Sequence, residues 1–259
     1  MLIYKHISAV IALTIYLYQR NSPSGLNYVN KKGVFSFGII WSALKQIIII
    51  AGISMVFSLG LKGTGIRIEY FIFNWMFWFH FSEIARSLID IHIPPHIRKN
   101  SDIYFTHFYL ASFLKVVSQF FVIGIIISST LMLFGFKLSL PHLLIAFSLN
   151  SIFALSYSII IEQIIHKKTF LIELHDFFLQ ALLFVSSIII PISILPNFVI
   201  DILVWNPLVH INEFIKEPIT GIYLGYIDIF YTVKTSAIMF MLVIPIMYIF
   251  ETQYRRSGR

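Results

Sequence analysis

Six apolar runs of about 20 residues, separated by short charged or turn-forming stretches, decide most of what this chain can fold into. A helix needs roughly 20 apolar residues in a row to cross a hydrocarbon core of about 30 Å. The runs fall near 38–60, 69–90, 107–134, 142–164, 176–195 and 232–251. Of the 259 residues 58% are hydrophobic and only 12% charged, where soluble domains carry roughly a quarter. Mean hydropathy is +0.84. Lipid is therefore the expected solvent, and the expected fold class is an all-α polytopic membrane protein: six transmembrane helices in one membrane domain over 1–259, with no repeat of fixed period.

The first run is preceded by residues 1–20, apolar from Ile7 to Leu17 and without the small-residue site of a cleaved signal peptide. They read as a retained N-terminal amphipathic helix lying in the interface, a short span being the alternative. Residues 21–37 are the most turn-rich of the chain and form an elbow before the first span. Pro94-Pro95 break any helix in the 91–104 loop, which continues with His96, Arg98, Lys99, Asn100 and Asp102.

Net charge is +7, yet the basic residues lie in short clusters between apolar runs and form no stripe of the kind that grips nucleic acid. Topology accounts for them. With six spans both termini share one side, and that side carries 12 of the 19 Lys and Arg; Lys62, Arg67, Lys137 and Lys216 are opposite, and Lys45, Lys115 and Lys234 sit in or beside spans. Enrichment of Lys and Arg in cytoplasmic loops puts both termini in the cytoplasm. With no cysteine, thiolate metal sites, disulfides and thiol nucleophiles are excluded.

Between spans five and six, residues 196–217 are apolar but broken by Pro196 and Pro207, and carry Asp201, Asn206, His210, Asn212 and Glu213. No lipid-exposed spanning helix would hold so many polar groups. The segment is expected to be extracytoplasmic and re-entrant, as short helices dipping into the membrane, with Asn206-Pro207 turning its tip and Trp205 anchoring it at the interface.

Motifs for chemistry are sparse. The nearest approach to a phosphate loop, Gly60-Leu-Lys-Gly-Thr-Gly65, misplaces its lysine, so no nucleotide hydrolysis is expected of this chain and no catalytic residue is assigned. His92 and His96 have a metal-like spacing, but Pro94-Pro95 prevent the helix that would align them, and His210-Ile-Asn-Glu213 lacks a second histidine; no metal site is expected. His80, Glu83, Arg86 and Asp90 recur at helical spacing as a polar stripe, for which a Glu83–Arg86 pair is the expectation and a substrate or proton path the alternative. The same span holds Tyr70, Phe71, Phe73, Trp75, Phe77, Trp78, Phe79 and Phe81. Lipid-facing bulk and helix packing account for most of that density, while an aromatic conduit would suit the C–H faces of a carbohydrate.

Trp205-Asn206-Pro207-Leu208-Val209-His210 with Glu213 downstream, and Phe184 to Pro196 upstream, resemble the ABC-2 type permeases that export capsular and O-antigen polysaccharides. The N-terminal helix, the stretch Gly38-Ile-Ile-Trp41-Ser-Ala-Leu44 and the order of six spans extend the likeness over the chain. One departure is the loop before span three, Arg98 to Tyr104, which lacks the family's proline there.

The resemblance implies a homodimeric permease of the bacterial inner membrane that passes a long, lipid-linked polysaccharide outward, driven by two copies of a separate ATPase that bind the ATP and Mg²⁺. A periplasmic adaptor and an outer-membrane channel would be further partners. It implies ATPase coupling through Arg20, His96, Arg98, Lys99 and Asp102 and an exit segment of Trp205, Asn206, Pro207, His210 and Glu213, while the aromatic span and the cations near span ends offer Tyr70, Trp75, Trp78, Arg86, Lys45 and Lys115 as a substrate path, snorkelling being the alternative for the cations. The alternatives are a membrane-embedded lipid-linked glycan transferase, which needs a clustered acid–base pair, and a proton-coupled flippase, which needs an unpaired acid in mid-span.

Overall fold

The computed structural model describes residues 2–20, 34–60, 68–89, 105–165, 169–221 and 224–257. Among those residues the regular secondary structure is all helix, without a strand. In chain order the α-helices are α1 (Leu2–Arg20), α2 (Val34–Gly60), α3 (Ile68–Ile89), α4 (Phe105–Leu133), α5 (Leu140–Ile165), α6 (Thr169–Phe184), α7 (Asn197–Leu203), α8 (Pro207–Thr220) and α9 (Ile229–Ser257), with a 3₁₀ turn at Ile192–Ile194.

Among the described residues four helices are long and apolar enough to cross a membrane: α2 over Ala43–Gly60, α4 over Thr106–Leu133, α5, and α9 over Ile229–Ile249. Counting the bent pair α7–α8 as one broken span makes five. Their outward faces carry Ile48, Met55, Val56 and Leu59 on α2 and Ile238, Met241, Leu242 and Ile244 on α9, all exposed. Apolar side chains directed away from the protein are stable where the surroundings are lipid.

α3 occupies the middle of the bundle, packed on α2, α4, α5 and α8. That position explains its composition. Glu69, Asn74, His80, Glu83 and Arg86 make it too polar to count among the four lipid-compatible helices, and neighbouring helices, not lipid, surround it. Its aromatic side chains are core: Tyr70, Phe71, Phe73, Trp75, Phe77, Trp78 and Phe81 are all buried, and only Phe79 is partly exposed. Of the two expected sources of that density, helix packing accounts for these seven side chains and lipid-facing bulk does not. Trp75 sits between the rings of Phe57 and Phe79, and Phe81 between Phe153 and Tyr157. Such tilted and offset pairs add about 0.5–1.5 kcal/mol each beyond area burial.

The helix expected over 176–195 is displaced. α6 starts at Thr169 and stops at Phe184, so its 16 residues reach about 24 Å, short of a hydrocarbon core. Turns and bends follow through Ile190, with Ser187 in the left-handed region at φ 57°. The 196–217 segment is two helices bent by 108° at the Val204–Asn206 turn. α1 is a helix over the expected residues, with Val10 and Leu13 buried and Ile7 and Ile11 exposed; it packs on α4 and α2.

Candidate functional site

The most polar buried region lies where α3, the break after α6, and α8 meet. Helix α8 begins there because its sequence is a complete start signal. Asn206 is the N-cap, its Oδ1 accepting the Leu208 N–H at 3.0 Å, and Pro207 occupies the first turn, where no backbone N–H is needed. The other end closes on Gly221 at φ 69°, a left-handed cap that glycine adopts without Cβ strain.

Three asparagines then capture the carbonyls that the end of α6 leaves open. Asn206 Nδ2 donates to Val185 O at 3.0 Å and to Ser186 Oγ at 2.9 Å. Asn212 Nδ2 donates to Ser186 O at 2.9 Å. Asn74 Nδ2, from α3, donates to Ser187 O at 2.9 Å and Ile188 O at 3.1 Å. A buried carbonyl without a partner costs about 1–3 kcal/mol, so the unwound stretch persists here because side-chain amides replace the missing helical donors.

Beside these amides lies a charge cluster. One carboxylate oxygen of Glu213, Oε1, accepts from the Lys216 ammonium and the Ser187 hydroxyl, with the Tyr70 hydroxyl at 3.5 Å. Lys216 is 2% exposed, and its Nζ also lies 3.8 Å from the centre of the Tyr70 ring. A buried lysine is tolerated when a carboxylate compensates its charge, and the ring face adds a cation–π attraction.

His210 ties the hairpin to the next helix. The Asp228 N–H donates to its Nδ1 at 3.1 Å, so the proton resides on Nε2, which donates to Val204 O at 2.7 Å. Its ring meets Tyr231 edge-on, and the Tyr231 hydroxyl donates to Trp205 O at 2.8 Å. Trp205 itself is 74% exposed at the turn between α7 and α8. The five exit-segment residues, Trp205, Asn206, Pro207, His210 and Glu213, therefore form one connected unit, with Trp205 alone presenting its side chain outward.

The residues expected along a substrate path are not brought together. Tyr70 joins the Glu213 cluster, whereas Trp75 and Trp78 are buried in the aromatic core. Arg86 pairs with Asp176 of α6 at 3.1 Å, which replaces the expected Glu83–Arg86 pair; Glu83 interacts instead with Lys115 of α4. The longer reach is favoured because α6 places an acid opposite Arg86 across the helix interface. Lys45 is exposed on α2. His80 is sealed against α5, stacked on Phe147 at 4.4 Å, with Nδ1 3.1 Å from Asn150 Nδ2 and Nε2 3.3 Å from Ser151 Oγ.

Of the coupling residues, His96, Arg98, Lys99 and Asp102, like His92 and Asp90, lie outside the described residues, as does the side chain of Arg20. Among the described residues no group of three or more His, Asp or Glu side chains is placed to hold a metal ion. Sequence reasoning missed Asn74, Ser187, Lys216 and Asp176. Lys216 was legible as the i+3 partner of Glu213, and Asn74 as the i+4 neighbour of Tyr70 on a helix face. Ser187 carries no local signal.

No protein-family model matches the chain, and no curated protein matches it.

Proposed function

We propose that this chain is the permease subunit of an ABC-2 type exporter of capsular or similar lipid-linked polysaccharide, working as a homodimer with two copies of a separate ATPase. In this reading α2, α3, α4, α5 and α9 are passes, α6 continued by the non-helical stretch 185–190 makes the sixth, α1 lies in the cytoplasmic interface, and α7–α8 is a re-entrant hairpin in the outer leaflet. Both termini face the cytoplasm of a bacterial inner membrane, as the 12-to-4 division of basic residues favours. ATP and Mg²⁺ belong to the partner subunit.

The observation that carries the reading is the capped hairpin itself. Two short helices bent by 108°, started by Asn206-Pro207 and sewn by amides to a broken helix end, suit a segment that enters a membrane without crossing it. Trp205, exposed at its turn, is placed as an interfacial anchor would be. The test is co-expression with ATPase subunits encoded beside this chain. A stable complex whose ATP hydrolysis requires this chain is expected; failure to associate with any of them removes the proposal.

A second reading draws on Ser187, whose strained backbone and hydroxyl contact with Glu213 resemble a nucleophile beside a base. The same geometry weighs against it. On the carboxylate oxygen that would have to take the serine proton, the Lys216 ammonium and the Tyr70 hydroxyl already compete for the lone pairs. Ser187 is also sealed from any substrate. A transferase of lipid-linked glycans is therefore the lesser reading, and Ser187→Ala abolishing transfer in purified protein would restore it.

A further inference from the structure

α6 ends where its own sequence does not ask it to. From Thr169 to Ile190 there is neither glycine nor proline, the usual causes of a sharp break, and the residues after Phe184 are Val-Ser-Ser-Ile-Ile-Ile. The first proline, Pro191, would stop a helix only at Ile190. A helix over Thr169–Ile190 would have 22 residues and reach about 33 Å, enough to cross a bilayer core, where the 16 of α6 do not.

What opposes that longer helix is tertiary. Asn74, Asn206 and Asn212 hold the carbonyls of Val185, Ser186, Ser187 and Ile188, and Glu213 holds the Ser187 hydroxyl. The bonds to Val185 O and Ser186 O stand in for helical ones from the N–H groups of Ile189 and Ile190, whereas Ser187 O has no helical donor in either form because Pro191 lacks an N–H. In the rewound form the carbonyls of the last turn of α6 would receive N–H donors from 185–190, so either arrangement satisfies much of the backbone. The broken form also carries a cost: Ser187 at φ 57° is a non-glycine residue in the left-handed region. Two satisfied arrangements of one segment, one of them strained, are what a bistable element requires.

We propose that residues 185–190 are a hinge that interconverts between the clamped break and a rewound end of α6, and that α8 is the clamp. Rewinding withdraws Ser186 from Asn212 and Asn206, Ser187 from Glu213 and Asn74, and Ile188 from Asn74, so the break no longer bridges the α7–α8 hairpin to α3 and only direct contacts such as Tyr70 with Glu213 and Lys216 remain. The same movement reshapes the apolar groove of about 510 Å³ between the end of α2 and the break, lined by Val56, Phe57, Ile189, Ile190, Pro191 and Ile194. In the exporter reading this movement opens the exit side; only that consequence rests on the reading, while the hinge stands on geometry alone.

The cysteine-free chain permits a direct test by electron–electron resonance in lipid nanodiscs. Spin labels at Leu174→Cys and Ile190→Cys, both exposed sites, would lie about 24 Å apart along the axis of a continuous helix. Two distance populations are expected. Ser187→Gly relieves the left-handed strain and weakens the helix, and should raise the ratio of broken to rewound about tenfold. Ser187→Ala removes the hydroxyl on Glu213 and favours the helix, and should lower it about tenfold. A single distance that neither variant moves overturns the hinge. Should Ser187→Ala fail to fold, the milder Ser187→Gly decides: its distribution matching that of the unsubstituted chain counts against the proposal. Neither measurement involves export, so loss of the exporter reading would leave it intact.

Discussion

Glu213 and Lys216 stand one turn apart on α8, and their ion pair is almost wholly removed from solvent. A charge pair this deep is weak evidence for stability, because desolvating both groups offsets much of their attraction. Its value here is geometric. The carboxylate that neutralises Lys216 also receives Ser187 from the break and faces Tyr70 from α3, so one side chain joins three parts of the chain.

Removing one partner should therefore hurt more than removing both. Glu213→Gln or Lys216→Met alone leaves a charge buried without compensation and is expected to cost about 3–5 kcal/mol, whereas the double variant should recover most of that loss. Thermal unfolding in detergent, followed by tryptophan fluorescence, reports this as a large drop in Tm for each single variant and a smaller one for the pair. Equal Tm values throughout would falsify the cluster's joining role.

Asn206 has two jobs that substitution separates. Asn206→Asp keeps an acceptor for the Leu208 N–H but cannot donate to Val185 O, while Asn206→Ala loses both functions. The cap contributes about 1 kcal/mol and the exposed bond to Val185 O about 0.5–1.5 kcal/mol. Asn206→Ala is expected to be the less stable of the two, with both below the unsubstituted chain in a protease-resistance assay. Asn206→Asp matching the unsubstituted chain would show that the amide clamp contributes nothing.

Arg86 and Asp176 form an exposed pair, both side chains about half open to solvent, and screening limits it to less than about 1 kcal/mol. Arg86→Gln should leave Tm nearly unchanged. If Arg86 attracts an acidic glycan, the same variant, with Lys45→Gln and Lys115→Gln, lowers export at undiminished complex assembly. Unaltered export assigns the three cations to anchoring at the membrane surface.

Placement of the hairpin is open to chemical labelling, again because the chain has no cysteine. Trp205→Cys should react in intact spheroplasts with a maleimide that cannot cross the membrane, and Ser257→Cys only after permeabilisation. The reverse pattern would invert the proposed topology.

Legibility differed from element to element. α2, α4, α5 and α9 were readable because crossing lipid demands long apolar runs that nothing else in the chain imitates. The start of α8 was readable as a turn at Asn206-Pro207, since capping chemistry acts over a few residues. The centrality of α3 was harder. Its aromatics are as compatible with lipid as with protein, and hydropathy cannot tell the two solvents apart. Arg86 was assigned to its own helix because i+3 neighbours are visible in sequence, while Asp176 lies 90 residues away.

By itself the sequence determined an all-helical chain with membrane-length apolar helices and a polar, proline-broken segment near its end, because lipid compatibility and helix capping are properties of short stretches. Tertiary structure alone decided where α6 stops. Between Thr169 and Ile190 there is neither glycine nor proline; the break exists at Ser186-Ser187 because Asn74, more than a hundred residues upstream, and Asn206, Asn212 and Glu213 downstream converge on those two residues. Those hydrogen bonds compete with the helix's own, and only the folded arrangement brings the competitors within reach.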